Sequence, residues 1–453
     1  MSDTIAAIST GQVVSAIGIV RLSGSEAVSA AERLFFPVSG KKLTEYEDRK
    51  LVYGKLCTAA GKMLDMCLCT VSHGPNSYTG EDTAEFQCHG SPVVLRTLLE
   101  ELFALGVRQA RAGEFTKRAF LNGRMDLTAA EAVADLISAE SAFAAENAAG
   151  QLSGAISRKT EEIYNLLTDI SSHFYAVLDY PDEDIEDFVA AKYAAELRGA
   201  TAELKRLRDS YSRGRLMNAG IPAAIIGRPN AGKSSLLNAL LGYERAIVTN
   251  VPGTTRDTIE EKLQLGNALL RLTDTAGIRE AEDEAEKLGV QRSYAAAEQA
   301  ELVICVMDGT DEAACADSEL LTLAEKAENA LVVATRQDLP GFDASRIQTR
   351  LKVMPFSAVT GYGLEQIEEA VNGMYPLPAV PAGEILTNAR QAEAVATAVD
   401  YMEAAVAALE AGATPDIILT EAEGAMNAIG ELSGRTVRED VTNRIFARFC
   451  VGK

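Results

Sequence analysis

The sequence has no tryptophan, three histidines and seven cysteines among its 453 residues, and no apolar run approaches the roughly 20 residues that cross a bilayer. The cysteines have neither metal-ligand spacing nor the density of a disulfide framework, and no signal-peptide pattern is present. We therefore expect a cytoplasmic protein without membrane contact. The formal net charge of -22 argues against a protein that binds nucleic acid over its whole surface.

A glycine-rich segment at residues 227–235 has the pattern of a phosphate-binding loop. It follows the apolar run 221–226 and precedes a helix-like stretch, so backbone N–H groups and the positive helix end would face a polyphosphate. Lys233 would reach the outer phosphates, and Ser234 would ligate Mg²⁺. The predicted contacts are Asn230, Ala231, Gly232, Lys233, Ser234 and Ser235.

Two further polar elements follow in the order expected for a nucleotide site. Residues 274–277, Asp-Thr-Ala-Gly, come after an alternating run, where the aspartate can hold Mg²⁺ through water and the glycine lets the backbone approach a terminal phosphate. Between the two lies the loop 253–257, in which Thr255 would close over the metal when the terminal phosphate is present. The three elements predict a nucleoside triphosphatase with contacts from Thr254, Thr255, Asp274, Thr275, Ala276 and Gly277.

The segment 335–338, Thr-Arg-Gln-Asp, is the predicted base-reading element. The carboxylate of Asp338 can accept hydrogen bonds from N1–H and the exocyclic amine of guanine, a donor pair that adenine lacks. GTPases usually have Asn-Lys-x-Asp here, so Thr335 and Arg336 remove the amide that touches the base and braces the phosphate loop, which allows weaker guanine binding. Ser357 and Ala358 match the last element of a guanine site, and the sequence favours GTP over ATP.

The hydrophobic period divides the chain into four segments. Strand and turn patterns dominate an α+β segment at 1–118, a period of 3.6 residues marks helical segments at 119–217 and 381–453, and strands alternate with helices over 218–380. This multidomain α/β and α organisation predicts a Ras-like P-loop G domain at 218–380. Neither helical segment has a partner at its own end of the chain, so we expect the G domain to be inserted into one all-helical domain.

Taken together, the motifs resemble the MnmE (TrmE) family of tRNA-modification GTPases from end to end. The matching pieces are residues 18–24, 77–82 and 113–124, the phosphate loop, residues 253–257 and 274–277, and the C-terminal residues 449–453. Phosphate loops alone occur in many families, whereas this combination does not. The resemblance implies a three-domain homodimer that joins an FAD-containing partner of the MnmG or GidA type, in a heterotetramer, to add carboxymethylaminomethyl at C5 of the wobble uridine of tRNA.

The same resemblance implies that the α+β segment dimerises and binds 5-formyltetrahydrofolate as one-carbon donor. The matching positions are Arg21, Glu85, Arg124 and Lys453. A carboxylate can pair with a pterin, and cations suit the glutamate tail of a folate. Residues 11–15 and Ser91 depart from the family pattern, and exposed charge without a ligand is the alternative. A basic stretch around it could meet folate, RNA or only solvent; its members are Arg108, Arg111, Lys117, Arg118 and Arg124.

For catalysis, the resemblance implies that K⁺ replaces an arginine finger. Its ligands would be Asn230, Thr249, Val251 and Thr254, with Thr249 also in the nucleotide site and Ser234 and Thr255 holding Mg²⁺. Ras-like enzymes place a glutamine where this chain has Ile278, and the resemblance gives the role of orienting the attacking water to Glu286. With Lys233 and Thr255 it completes the catalytic set. Alternatively, the carboxylates of 280–286 only favour the start of a helix.

Two questions stay open at this point. Cys450 is either a catalytic thiol, as the family suggests, or a small buried apolar residue. The chain as a whole could instead be a GTP-regulated switch in RNA or ribosome assembly, without one-carbon chemistry, although its N-terminal segment lacks the basic or aromatic character of an RNA-binding appendage.

Overall fold

The computed structural model describes residues 3–11, 13–179, 190–242, 261–272, 297–376, 380–436, 439–447 and 449–452. The chain forms two compact units. One contains Met1–Ala134, Gln151–Ala200 and Thr397–Lys453, and the other contains Asp135–Gly150 and Thr201–Ala396. No described helix is both long and apolar enough to cross a membrane.

The first unit contains a seven-stranded sheet in the order β3-β4-β5-β6-β2-β1-β7. All neighbours are antiparallel except β1 and β7. Strands such as β4 alternate buried and exposed residues, which is the pattern of a sheet with one covered face. The strands are β1 (Ile5–Ile8), β2 (Ser15–Ser23), β3 (Phe35–Pro37), β4 (Val52–Cys57), β5 (Met63–Ser72), β6 (Thr83–Gly90) and β7 (Arg108–Gln109).

Two helices cover that face, Ala27–Leu34 and Pro92–Ala104. The second packs tightly against β2, because a Cβ at Gly18 would lie 2.5 Å from a methyl of Leu95. Glycine at this position lets the helix approach the sheet, and the contact forms part of the hydrophobic core of the unit.

Helices make up most of the remaining chain outside the second sheet. Ala155–Asp179 packs along Pro415–Ser433, and Thr128 Oγ1 donates a hydrogen bond to the carbonyl of Leu432. These contacts join helices that are distant in sequence into the first unit. The bounds are Glu114–Leu121, Leu127–Ser138, Ala142–Leu152, Ala155–Asp179, Ala190–Asp209, Tyr211–Ala219, Ala389–Glu410, Pro415–Ser433 and Glu439–Phe446.

The second unit is built on a six-stranded sheet in the order β13-β12-β11-β8-β10-β9. It is parallel except for the β9–β10 hairpin, which turns at Gly266-Asn267. Hydrophobic clusters lie on both faces, so β11 is buried along its whole length. The strands are β8 (Ile221–Gly227), β9 (Glu261–Leu265), β10 (Ala268–Leu272), β11 (Leu302–Asp308), β12 (Asn329–Thr335) and β13 (Lys352–Pro355).

The helices described in this unit include Lys233–Leu241, Glu312–Cys315, Ser318–Lys326 and Leu364–Met374. Strands β8, β12 and β13 run parallel, and each is followed directly by one of the predicted nucleotide-binding segments. The carboxyl ends of parallel strands meet at one edge of the sheet, where α/β proteins bind ligands. The fold therefore brings the phosphate loop and both base-reading segments to a common edge.

Candidate functional site

The phosphate loop leaves β8 at Gly227 and enters the helix Lys233–Leu241. Two of its residues have left-handed backbones, Asn230 with φ 59° and the helix N-cap Gly232 with φ 98°. A Cβ at Gly227 would lie 2.4 Å from the carbonyl oxygen of Val306 on β11, so the close approach of these strands requires glycine. The loop thus turns over the helix N-terminus, the arrangement that directs backbone N–H groups at an anion.

The side chain of Lys233 folds back over this loop. Its Nζ donates to the carbonyls of Gly227 at 2.7 Å and Arg228 at 2.8 Å, and burial lowers the pKa of its ammonium. A partly desolvated cation gains more from a polyphosphate than a hydrated one would. Ser234 and Ser235 follow in the first turn of the helix, the former half-buried and the latter exposed.

Thr335 and Arg336 brace the phosphate loop from the end of β12. The buried Thr335 hydroxyl lies 2.7 Å from the carbonyl oxygen of Ala231 and donates to it. Arg336 donates through Nη2 to the carbonyl of Asn230 at 2.9 Å, and its Nη1 lies 2.6 Å from the carboxylate of Asp308. The expectation that these substitutions leave the loop unbraced was therefore wrong, because a hydroxyl and a guanidinium can donate to the loop carbonyls as an amide does.

The remaining base-reading residues lie beside this brace. Gln337 N donates to the carbonyl of Phe356 at 3.1 Å, which joins the segment that contains Asp338 to the one that begins at Ser357. Ser357 is buried, and its hydroxyl accepts from the backbone of Thr360 at 3.2 Å, whereas Asp338 and Ala358 are exposed. The structure thus brings a rigid backbone and an accessible carboxylate to the edge of the phosphate loop.

Several predicted site residues lie outside the described part of the chain. They comprise the metal-binding and switch positions, the second phosphate element, the proposed catalytic glutamate and the last residue. They are Thr249, Val251, Thr254, Thr255, Asp274, Thr275, Ala276, Gly277, Glu286 and Lys453.

The first unit has a second polar site, centred on Arg21 and Glu85. These residues are direct cross-strand partners on β2 and β6, and Arg21 Nε lies 2.6 Å from a Glu85 oxygen. The side chains are 19% and 26% exposed. The guanidinium carbon lies 5.2 Å from the ring centre of Tyr78 and 5.8 Å from that of Phe115. The aromatic rings orient the cation, and sequence reasoning missed them although both belong to segments that carry the family resemblance.

One buried donor beside this pair has no partner among the described residues. Thr70 on β5 faces Glu85 across the sheet, and its Oγ1 is buried without a hydrogen bond. A buried hydroxyl of this kind costs about 1–3 kcal/mol unless it is satisfied. An unsatisfied hydroxyl next to a carboxylate and an arginine fits the polar edge of an amide-like heterocycle such as a pterin.

Of the other two predicted folate positions, Arg124 belongs to the described part of the chain and Lys453 does not. Arg124 packs on the turn that contains Tyr78, since a Cβ at Gly80 would lie 3.3 Å from Arg124 Cγ. At the C-terminus, Ser9 Oγ donates to the carbonyl of Gly452 at 3.0 Å, which holds the residue before Lys453 beside β1, the neighbour of β2.

Cys450 lies in this C-terminal segment and is exposed. Its interpretation as a small buried apolar residue was therefore wrong.

Two members of the basic stretch, Arg108 and Arg118, form ion pairs with carboxylates of the same unit. Arg118 is buried and binds Glu81 at 2.8 Å, Asp3 at 2.8 Å and Glu114 at 3.2 Å. Arg108 binds Asp3 and Glu114, and its hydrogen bond lowers the pKa of Asp3 to about 2. Arg118 thus holds the helix Glu114–Leu121 to the turn after Tyr78, and Arg108 joins Glu114 of that helix to Asp3.

We expect Arg118→Met to destabilise that turn by about 3–5 kcal/mol, because it leaves the Glu81 carboxylate without its buried partner. Amide hydrogen exchange of residues 79–85 in the full chain measures this opening free energy. Arg111→Met removes an exposed arginine just before the same helix and should leave the exchange unchanged. Equal exchange in Arg118→Met and the parent chain would contradict the assignment.

Comparisons with known proteins cover the whole chain. The MnmE helical domain matches residues 127–450, and the N-terminus of the GTP-binding protein TrmE matches residues 4–124. A tRNA modification GTPase MnmE from Roseiflexus sp. (strain RS-1) is 40% identical over 464 residues, which cover 100% of this chain and 99% of that protein. One of the same description from Clostridioides difficile (strain 630) is 37% identical over 459 residues and covers 100% of both.

Among solved structures, the G domain of the T. maritima FeoB iron transporter is 29% identical. The match covers 34% of this chain and 98% of that chain with a TM-score of 0.24, which is too low to support a conclusion.

Proposed function

Because the chain belongs to the MnmE family of tRNA modification GTPases, we propose that it adds the carboxymethylaminomethyl group at C5 of the wobble uridine in tRNA. In this proposal it acts as a cytoplasmic homodimer, in a heterotetramer with an FAD-containing partner of the MnmG or GidA type. The one-carbon donor is 5-formyltetrahydrofolate, bound by the segment 1–118. The G domain spans 218–380 and is inserted between helical segments 119–217 and 381–453.

The observation that carries the proposal is the presence of two separate polar sites in one chain. A braced phosphate loop with an accessible Asp338 suits GTP, and the Arg21–Glu85 pair with the unsatisfied Thr70 hydroxyl suits a folate. A regulatory GTPase switch needs only the nucleotide site and has no use for a folate site. Liquid chromatography with mass spectrometry of tRNA nucleosides tests the proposal: the C5 modification should disappear in cells that lack the chain. If it persists there, the proposal fails and the switch function is favoured.

The chain's own groups bind and orient the nucleotide. The loop N–H groups and Lys233 hold the phosphates, and Thr335 and Arg336 keep the loop carbonyls turned away from them. The oxygen donors present suit hard cations: Ser234 and Thr255 for Mg²⁺, and Asn230, Thr249, Val251 and Thr254 for K⁺. Cations held there would neutralise charge that develops on the phosphates. Asp338 would orient guanine, Thr255 would close over the metal when the terminal phosphate is present, and Glu286 would orient the attacking water.

Potassium should stimulate GTP hydrolysis by at least about tenfold over sodium at matched ionic strength, since a positioned positive charge supplies what an arginine finger supplies elsewhere. Steady-state phosphate release in the two chlorides measures the effect. Equal turnover in both salts would contradict a catalytic role for potassium.

Glu85→Gln should weaken 5-formyltetrahydrofolate binding by roughly 10- to 100-fold, because it removes a charge-assisted acceptor worth about 1.5–3 kcal/mol. Deletion of Lys453 should also weaken it. Isothermal titration of the full chain measures both, with Glu26→Gln as a control that removes an exposed carboxylate from the same unit. Absence of any heat with the intact protein at millimolar ligand would show that it has no such site.

A further inference from the structure

A cluster of possible metal ligands lies in the seven-stranded sheet, away from the Arg21–Glu85 pair. One carboxylate oxygen of Asp65 and the sulfur atoms of Cys67 and Cys88 lie within 4.8 Å of one another. In a tetrahedral zinc site with Zn–S bonds of about 2.3 Å, two thiolates are about 3.8 Å apart. The three groups are thus close enough to bind one ion with small side-chain movements.

The strand register explains why these residues meet. Cys67 on β5 and Cys88 on β6 belong to neighbouring antiparallel strands, and the pairing of Leu68 with Gln87 places them opposite each other as the next pair. Asp65 lies two residues before Cys67, and strand alternation directs the two side chains to the same face. Cys67 and Cys88 are 21 positions apart, which does not match the spacing of a known metal-binding motif. The sequence alone therefore does not show the cluster.

The walls of the cluster are apolar on both sides of the thiols. Cys88 pairs with Gly18 and Cys67 with Gly54, and at these glycines a Cβ would lie within 2.6 Å of Leu95 and Phe35 respectively. The two cysteines are 1% and 4% exposed. In such surroundings a thiolate needs a positive partner, which a metal ion supplies.

The carboxylate is held in place by its own hydrogen bonds. Asp65 Oδ2 accepts from the backbone of His89 at 2.8 Å, and Oδ1 accepts from the backbone of Met66 at 2.7 Å and lies 2.8 Å from His89 Nδ1. The imidazole is 76% exposed, so this end of the cluster opens to solvent. Hydrogen-bonded carboxylates of this kind are typical of built metal sites, and the open end provides an entry path for an ion.

We propose that Asp65, Cys67 and Cys88 bind one zinc ion, with His89 or water as the fourth ligand. Two thiolates with nitrogen or oxygen ligands in a tetrahedral arrangement favour zinc over calcium or magnesium. Binding releases both thiol protons to solvent as two Zn–S bonds form. The ion joins β5 to β6, the strand that carries Glu85, and its presence does not depend on the function proposed above.

Cobalt provides the test, because thiolate-bound tetrahedral Co²⁺ has charge-transfer and visible bands that free Co²⁺ lacks. The full chain, purified with reductant and chelator, should develop these bands with about one Co²⁺ per chain and lose them when about one Zn²⁺ is added. Cys67→Ser and Cys88→Ser should abolish the charge-transfer band, and Asp65→Asn should weaken binding at least about tenfold. Cys69→Ser is the matched control, a buried cysteine on the same strand and face, and should retain the spectrum.

Amide hydrogen exchange of residues 63–90 in each variant reports whether this part of the sheet is folded. Three results would overturn the proposal. The parent chain could show no thiolate–cobalt band at saturating Co²⁺, or the Cys67→Ser and Cys88→Ser chains could bind like the parent. Alternatively, peptide mapping of the chain purified without reductant and chelator could show a Cys67–Cys88 disulfide. The parent spectrum decides the matter even if a variant fails to fold.

Discussion

Glu286→Ala should lower GTP turnover by roughly a hundredfold and leave nucleotide affinity nearly unchanged. A hundredfold loss of turnover is the lower end of the range expected when a general acid–base group is removed. Unchanged nucleotide affinity indicates that the lost interaction is made only in the transition state. Ile278 occupies the position of the water-orienting glutamine of Ras-like enzymes and cannot hydrogen-bond water. Single-turnover hydrolysis in potassium, together with equilibrium binding of a non-hydrolysable GTP analogue, separates the two quantities.

Neighbouring carboxylates supply the controls for this experiment. If residues 280–286 only favour the start of a helix, each carboxylate contributes at most about 1 kcal/mol, and Glu282→Ala or Glu284→Ala should be as harmful as Glu286→Ala. We expect these two variants to keep near parental turnover. A Glu286→Ala enzyme that hydrolyses GTP at the parental rate would end the assignment.

Asp338→Asn should reduce GTP affinity by roughly 10²- to 10⁴-fold and shift preference to xanthosine triphosphate. The carboxylate accepts two charge-assisted hydrogen bonds from guanine, worth about 1.5–3 kcal/mol each, and an amide can instead donate to the 2-oxo group of xanthine. Asp338 is exposed on a segment anchored through Gln337, so the substitution leaves the packing intact.

Competition binding with GTP, xanthosine triphosphate and ATP measures this change. Glu369→Gln removes an exposed carboxylate from the same unit and should leave the preference for GTP unaltered. If the parent chain binds ATP as tightly as GTP, Asp338 does not select the base.

Local patterns predicted the elements that local chemistry determines. The strand, glycine-rich turn and helix of residues 221–241 could be read from the sequence, since apolar runs and turn residues specify them over short distances. Thr335 stands where GTPases usually have an asparagine, and the sequence suggested that the phosphate loop loses the hydrogen bond of that amide. A family pattern compares residue types and does not show which contacts a different residue can make. The structure shows a hydroxyl at 2.7 Å from the Ala231 carbonyl, a tertiary contact that residue types alone do not reveal.

Contacts between segments that are distant along the chain could not be predicted from the sequence. The charge of Arg118 suggested a ligand surface, but its carboxylate partners at Asp3 and Glu81 lie far away along the chain and became visible only through the fold. Strand register in the same way brought Cys67 beside Cys88 without any spacing motif. By contrast, Arg21 and Glu85 were found through the family resemblance, and the structure supplied the pairing between them.

Transfer of an isotopic label tests the central claim most directly. The full chain is incubated with its FAD-containing partner, unmodified tRNA, GTP, K⁺, an amino donor and formyl-tetrahydrofolate labelled with ¹³C at the one-carbon unit, and the wobble nucleoside is analysed by mass spectrometry. The account predicts a C5-modified uridine that contains the label, no product when GTP is omitted, and less product from the Glu85→Gln chain at folate concentrations below saturation. An unlabelled modified uridine, or a labelled one formed equally well without this chain, would contradict it.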